Sequence, residues 1–167
     1  MARFGLTCAS EEHLRTFSRR TFGLGVLGVT IASKAEAATP RARVGSVSAL
    51  AVGEPVNFSY PEPHAAILVR LAKPAEGGVG PNSDIVAFHV ACPHMGCALA
   101  PGDELASGVF GPCGCHGSAF DLRAQGRQLY GRASQNLVQV QLEVSGDDIF
   151  AVGIVGLPFG EAVAETP

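Results

Sequence analysis

The chain has 167 residues, of which 47% are hydrophobic and 16% are charged, with a formal net charge of −3. This length predicts one folded domain, and the 21 Gly and 11 Pro favour turn-rich β structure over helices. Residues 1–37 carry a net charge of +2 and residues 38–167 one of −5, so the body offers no basic face and no nucleic-acid partner is expected.

The first 37 residues are predicted to be a targeting signal. Residues 18–22 (SRRTF) form a twin-arginine box, an apolar stretch follows over 22–33, and Ala-Glu-Ala at 35–37 is a small-x-small cleavage pattern. The apolar stretch is shorter than the roughly 20 residues that span a bilayer. We therefore expect twin-arginine export to the periplasm, cleavage after residue 37 and no stable membrane span. An uncleaved signal anchor and a chance Arg pair before a buried helix are the alternatives.

An all-β fold is predicted for residues 38–167, because short apolar runs alternate with turn-rich loops. Residues 135–144 alternate cleanly and turn Gln139 outward, and the turn at 145–148 makes them the first strand of a hairpin. The Gly-rich tail at 153–160 is expected to pack on the body or on a partner. The strands expected, in chain order, are 44–52, 66–71, 85–90, 135–144 and 149–152.

Two loop motifs carry the chemistry, and each supplies a Cys and a His as well as a second Cys. They read Cys92-Pro-His94-Met-Gly-Cys97 and Cys113-Gly-Cys115-His116-Gly-Ser118. A donor set of two thiolates and two imidazoles suits a two-iron, two-sulfide cluster on which two His ligate one iron. Structural zinc uses the same donors, but zinc fingers mostly begin Cys-x₂₋₄-Cys, and the paired extra thiols favour iron–sulfur. The residues alone leave open whether Cys97 or Cys115 is a ligand instead.

The two motifs resemble those of Rieske proteins of the disulfide-bearing kind. Residues 53–61, 77–87 and 151–157 further resemble the small Rieske subunit of bacterial arsenite oxidase. The resemblance covers about 45–160 and implies an antiparallel β sandwich or barrel with a small cluster-binding subdomain, its loops at about 90–120.

The resemblance also implies a role for each residue of the motifs. One Rieske [2Fe–2S] cluster per chain would be bound, with two Cys on one iron, two His on the other, and a serine hydroxyl bonded to the cluster. The remaining two Cys would form a disulfide worth roughly 3 kcal/mol. The implied ligands are Cys92, Cys113, His94 and His116, the hydroxyl is that of Ser118, and the disulfide joins Cys97 to Cys115.

The function implied is electron transfer in a periplasmic heterodimer, an arsenite oxidase-type oxidoreductase with no substrate chemistry on this chain. Its large subunit would carry a molybdopterin, and a soluble cytochrome c or copper protein would accept the electrons. One alternative is the small subunit of a related molybdenum enzyme such as iodate reductase. The other, the Rieske subunit of a quinol–cytochrome c reductase, is disfavoured because Gly-Arg-Ala-Ser at 131–134 replaces a Pro-rich loop.

The sequence departs from the family pattern in other places. An insertion at about 101–108 is expected to lengthen a loop near the cluster. Phe120 stands where many quinol-oxidising relatives have Tyr, which predicts a potential in the middle of the roughly −150 to +300 mV Rieske range. His64 and His89 lie outside both motifs, and neither is expected to be a ligand.

Overall fold

The computed structural model describes residues 40–160, so the predicted signal and its cleavage site lie outside the described residues. Within that range the chain forms nine strands and three 3₁₀ turns, and it has no helix long and apolar enough to cross a membrane. The strands are Ala42–Ser46 (β1), Val56–Ser59 (β2), Ala65–Arg70 (β3), Ile85–His89 (β4), Val109–Phe110 (β5), Ala119–Asp121 (β6), Arg127–Tyr130 (β7), Gln139–Ser145 (β8) and Asp148–Val155 (β9). The 3₁₀ turns are Val47–Ala49, Leu105–Ser107 and Leu122–Ala124.

The strands form two antiparallel sheets. The larger has six strands in the order β1-β9-β8-β4-β3-β2, and the smaller has three in the order β5-β6-β7. The predicted all-β antiparallel fold is therefore confirmed. One motif follows β4 and the other lies between β5 and β6, so each sheet supplies one of the two loops.

The strands β3 and β4 are buried on both faces, which explains their unbroken apolar runs. Ile67 and Phe88 belong to a core cluster that also contains Phe110 and Phe120 of the smaller sheet. Their neighbours Leu68 and Ala87 belong to a second cluster on the opposite face. Since side chains alternate across a strand, each face of the larger sheet packs on its own core.

Most strand predictions are confirmed, and three details are corrected. The predicted strand at 135–144 begins only at Gln139, since residues 135–138 are not part of a strand. The predicted strand at 44–52 ends at Ser46 and continues as the 3₁₀ turn Val47–Ala49. Gln139, predicted to point outward, is buried and its Nε2 donates to the carbonyl of Glu76 at 3.3 Å. A buried amide needs a partner, and no periodicity argument could have shown that a loop carbonyl lies there.

The segment at 101–108, expected to be an insertion, packs on the body of the protein. Leu105 is buried in the same cluster as Phe110, and the carbonyl of Ala106 accepts the N–H of Ala72 at 2.8 Å. A Cβ on Gly53 would lie 2.9 Å from the Ala106 methyl, so the two segments are in close contact. This segment therefore contributes to the core of the protein.

Candidate metal centre

The first loop, residues 91–98, closes on itself directly after β4. The N–H of Cys92 donates to the carbonyl of Cys97 at 2.9 Å, and the N–H of Gly96 donates back to the carbonyl of Cys92 at 2.8 Å. Gly96 has φ +75°, a conformation that glycine adopts without steric cost. These two bonds fix the backbone of Cys92 at the base of a tight turn.

The second loop, residues 111–118, repeats this pattern. The N–H of Cys113 donates to the carbonyl of Ser118, and the N–H of Gly117 donates back to Cys113, both at 2.8 Å. Gly117 has φ +71°. Cys113 therefore occupies the same position in its turn as Cys92 does in the first.

The predicted disulfide between Cys97 and Cys115 is confirmed. It links the two loops across a sequence separation of 18 residues, with the two Cα atoms 6.5 Å apart. The sulfur of Cys113 lies within 4.8 Å of both disulfide sulfurs, but sulfurs bonded to each other offer no thiolate to a metal. Among the described residues the free thiols are those of Cys92 and Cys113, both buried.

The two motif histidines meet at the end of the loops. Their Nδ1 atoms are 3.2 Å apart, and the rings of His94 and His116 are nearly perpendicular at 87°. A tetrahedral metal with metal–nitrogen distances of about 2.0–2.1 Å holds its nitrogens about 3.4 Å apart. The observed separation therefore fits two imidazoles on one metal ion. His116 is exposed and His94 is partly exposed.

The two free thiols lie in an apolar environment, since Cys92 is 1% exposed and Cys113 4%. Burial raises the pKa of Cys92, the backbone N–H of His94 opposes this, and the neighbouring Cys113 raises the pKa further. Without a metal the thiol of Cys92 is therefore protonated at neutral pH, and a bound cation would displace that proton. The donor set therefore combines two buried thiols with a partly exposed and an exposed imidazole, and such mixed ligands suit a two-iron cluster.

Ser118 is fully buried beneath these groups. Its hydroxyl contacts the thiol of Cys92 and lowers the pKa of that thiol, although burial dominates. Its Oγ also accepts the backbone N–H groups of Arg132 and Ala133, each at 3.0 Å. The motif identifies Ser118 in the sequence but not these two donors, because every non-proline residue carries a backbone N–H.

The tail also reaches the site, as a second feature that the sequence did not locate. A Cβ placed on Gly96 would lie 2.3 Å from the ring of Phe159, so this ring packs directly on the first loop. Pro93 and Leu157 line one shallow surface groove together with Phe159. The prediction that the tail packs on the body is confirmed for this segment.

Neither of the other two described histidines lies in the loops. His89 is buried in β4, with its Nε2 2.8 Å from the carbonyl oxygen of Tyr60. His64 stacks on it at 5.3 Å between ring centroids. Both rings thus contact each other and the body of the protein outside the two loops.

Known proteins decide which family this site belongs to. A sequence model of the Rieske [2Fe-2S] domain matches residues 41–141. The chain belongs to the Rieske [2Fe-2S] domain family. The cofactor of this Rieske domain is accordingly a [2Fe–2S] cluster, as predicted.

Two curated relatives of this Rieske chain are subunits of iodate reductases. It is 46% identical over 137 residues to iodate reductase subunit IdrB of Pseudomonas sp. (strain SCT), covering 81% of this chain and 70% of the relative. It is 43% identical over 155 residues to iodate reductase subunit IdrB of Denitromonas iodatirespirans, covering 86% and 84%.

Solved structures show the same fold. The soluble domain of Rieske protein II (soxF) from Sulfolobus acidocaldarius superposes with a TM-score of 0.61 at 26% identity, over 72% of this chain and 83% of that one. The plasma membrane Rieske protein PetC3 from Synechocystis PCC 6803 gives 0.50 at 28% identity, over 65% and 96%.

Proposed function

We propose that this Rieske chain is the electron-transfer subunit of a molybdenum oxidoreductase of the iodate reductase type. The observation that carries the proposal is the alignment with two iodate reductase subunits over most of both chains. It favours iodate reductase, held as an alternative on the sequence alone, over arsenite oxidase, which was the leading hypothesis. For either enzyme the substrate would be bound by another subunit, as the resemblance to the small subunit of arsenite oxidase implies.

Within this proposal the four motif ligands hold the cluster. Cys92 and Cys113 would ligate one iron from the buried side, and His94 and His116 the other from the exposed side. The bound cluster supplies single-electron transfer at a raised potential. The chain's own residues exclude water from the thiol side and leave the imidazoles exposed to a partner. Ser118 would orient its hydroxyl toward the cluster.

The substrate decides the direction of electron flow. Reduction of an oxyanion consumes electrons, so a soluble cytochrome c or copper protein would be the donor, and the large molybdopterin subunit would receive the electrons. For arsenite oxidation the same soluble protein would be the acceptor instead. The imidazoles are the exposed side of the ligand set, so electrons would enter or leave there in either direction.

Export to the periplasm by the twin-arginine route is part of the proposal. The box at 18–22 and the cleavage pattern at 35–37 support it, and so does the disulfide Cys97–Cys115, since such bonds persist in oxidising compartments. N-terminal sequencing of the exported protein should begin near residue 38. A periplasmic form that retains Arg19 and Arg20 would contradict cleavage.

The test is to isolate the complex through an affinity tag on this chain and to assay its metals and both reactions. We expect about two irons on this chain, molybdenum on a co-purifying large subunit, and iodate reduction with a reduced dye as donor. If the complex oxidises arsenite and does not reduce iodate, the proposed substrate is wrong, but the electron-transfer role of this chain stands. Absence of a molybdenum partner would overturn the heterodimer, and a zinc-containing, colourless chain would overturn the cluster.

A further inference from the structure

The charges of the body are unevenly distributed along the chain. Residues 122–142 contain three arginines and no acidic residue, whereas the rest of 38–167, with four Lys or Arg and twelve Asp or Glu, carries a net charge of −8. The three arginines are Arg123, Arg127 and Arg132, and all are exposed. The expectation of no basic face, drawn from the net charge of the body, therefore does not hold for this segment.

Two of these arginines flank the strand β7, which is the open edge of the smaller sheet. Among the described residues β7 is hydrogen-bonded only to β6. Arg127 is its first residue, and Arg132 follows its end by two positions. Within the described part of the chain neither guanidinium forms an ion pair, even with Asp121 opposite Arg127 on β6, whereas Arg43 pairs with Asp148 at 2.6 Å. The positive charge of this edge is therefore available to a partner.

Two exposed apolar side chains lie between these charges. Leu129 is 45% exposed and Tyr130 is 54% exposed. Consecutive side chains of a strand normally point to opposite faces, but β7 contains a bulge here. Gln128 and Tyr130 pair with consecutive residues of β6, so Leu129 has no partner, and a bulge of this kind redirects a side chain. The edge thus combines an apolar centre with a positive charge at each end.

This edge is continuous with the second cluster loop. A Cβ on Gly131 would lie 2.7 Å from the carbonyl oxygen of Gly117, and Gly117 directly follows the exposed His116. Residues 127–132 span at most roughly 18 Å, since each residue adds up to about 3.6 Å. A redox partner with a small interface, on the order of 1,000 Å² in total, is wide enough to cover both this edge and the imidazole of His116.

The two sides of the site differ, and the difference indicates which partner this edge takes. On the side of the first loop, Pro93, Leu157 and Phe159 line a groove that has no charged side chain in the described part of the chain. Permanent subunit interfaces are the more hydrophobic class, whereas exposed charges accelerate association and suit transient docking. A large subunit is a permanent partner and a soluble carrier a transient one, so the basic edge suits the carrier.

We propose that residues 127–132 are the docking edge for a soluble one-electron carrier with an acidic surface. Carboxylates of the carrier pair with Arg127 and Arg132, and an apolar part of its surface covers Leu129 and Tyr130. The redox centre of the carrier then faces His116, and one electron passes from the carrier to the cluster without transfer of a proton or a group. The proposal rests on the proposed function, because it requires a cluster at this site, and it adds the charge of the carrier.

Stopped-flow mixing of the tagged complex with two carriers of opposite charge tests the proposal. The probes are plastocyanin, an acidic copper protein, and mitochondrial cytochrome c, a basic haem protein. Each oxidised carrier is mixed with the reduced complex, since docking uses the same surface in both directions of transfer. At about 0.02 M salt, Arg127→Glu and Arg132→Glu should each slow the reduction of plastocyanin at least roughly fivefold and accelerate that of cytochrome c. An unchanged rate with plastocyanin in both variants would overturn the proposal.

Arg43→Glu is the matched control, because it changes the net charge equally but lies on β1 of the larger sheet. It should change neither rate more than about twofold, since its charge is far from the docking edge. In about 1 M salt, where the Debye length is about 3 Å, all variants should react at the wild-type rate. An effect of Arg43→Glu equal to that of Arg127→Glu, or a deficit that persists at high salt, would contradict docking at this edge.

Co-purification of the large subunit separates the two kinds of partner. The molybdenum content of the Arg127→Glu and Arg132→Glu complexes should equal that of the wild type. Loss of the large subunit from them would assign the edge to the permanent interface and overturn the proposal. A wild-type chain without iron or an EPR signal would instead refute the proposed function, so the two failures are distinguishable.

Discussion

The two cluster loops have the same backbone but not the same residues. Each begins with a cysteine whose N–H and carbonyl close the turn, and each has a glycine four residues later, at φ +75° and +71°. The histidine, however, is the third residue of the first turn (His94) and the fourth of the second (His116). The repeated backbone places two thiols equivalently, and the offset lets the imidazoles approach each other.

The disulfide joins the third position of one turn to the sixth position of the other. The sixth residue is Cys97 in the first loop and Ser118 in the second, while Cys115 takes the third position, which holds His94 in the first loop. The cross-link therefore joins non-equivalent positions. One turn geometry thus serves ligation, cross-linking and a buried hydroxyl, depending on which side chain each position carries.

The largest expected effect tests the equivalence of the thiols. Cys92→Ser and Cys113→Ser should each abolish the cluster entirely, because each removes a thiolate ligand from the same place in its turn. Iron and sulfide assays with EPR of the reduced protein measure this. Met95→Leu, an exposed change in the same first loop, should keep the cluster. A normal cluster in either serine variant would show that the thiols are not equivalent ligands.

The next effect concerns the link between the loops. Cys97→Ala, Cys115→Ala and the double variant should each lose about 3 kcal/mol of unfolding free energy. The three losses should be equal, since either substitution removes the whole bond. Urea unfolding with and without a thiol reductant is the measurement. With the reductant, the unfolding free energy of the wild type should decrease toward that of the variants. A wild-type unfolding free energy that does not change with the reductant would contradict this prediction.

Smaller effects distinguish how the two turns pack. Gly117→Ala should cost about 1–2 kcal/mol, the usual penalty for a left-handed conformation. Gly96→Ala should cost roughly 1 kcal/mol more, because the added methyl must displace the half-exposed ring of Phe159. In a Phe159→Ala background the two substitutions should cost the same. Denaturant unfolding measures the free energy of unfolding of each glycine variant in the wild-type and the Phe159→Ala backgrounds. If Gly96→Ala still costs more than Gly117→Ala in the Phe159→Ala background, the ring of Phe159 is not the cause of the difference.

The smallest effect lies at the sixth position of the second loop. Losing one hydrogen bond of about 0.5–1.5 kcal/mol corresponds to a potential roughly 20–60 mV lower in Ser118→Ala, at 59 mV per tenfold change for one electron. Phe120→Tyr, which adds a hydroxyl at a fully buried position, should raise the potential. Protein-film voltammetry measures both. An unchanged potential in Ser118→Ala would show that this hydroxyl does not influence the reduction potential.

The fold and the cofactor were largely predictable because they have local signatures. The apolar runs of β3 and β4, the alternation before the β8–β9 hairpin and the paired Cys–His motifs are all readable in short windows. The donor set narrowed the cofactor to iron–sulfur or zinc, and the family resemblance supplied the pairing of Cys97 with Cys115.

Contacts made by backbone groups, and contacts between distant segments of the chain, could not be predicted from the sequence. The turn that both loops share is closed by a backbone N–H and a backbone carbonyl, which carry no sequence signal. Its glycine is the residue that the sequence could reveal. The amides of Arg132 and Ala133 act independently of their side chains. Nothing local to Phe159 indicates that its ring lies on Gly96, more than sixty residues earlier.

The cross-link between Cys97 and Cys115 also joins the two sheets, because one loop follows β4 of the larger sheet and the other connects β5 and β6 of the smaller one. A covalent bond between the loops limits how far they can move apart. The separation of the two loops is therefore expected to change little when an electron enters or leaves the site.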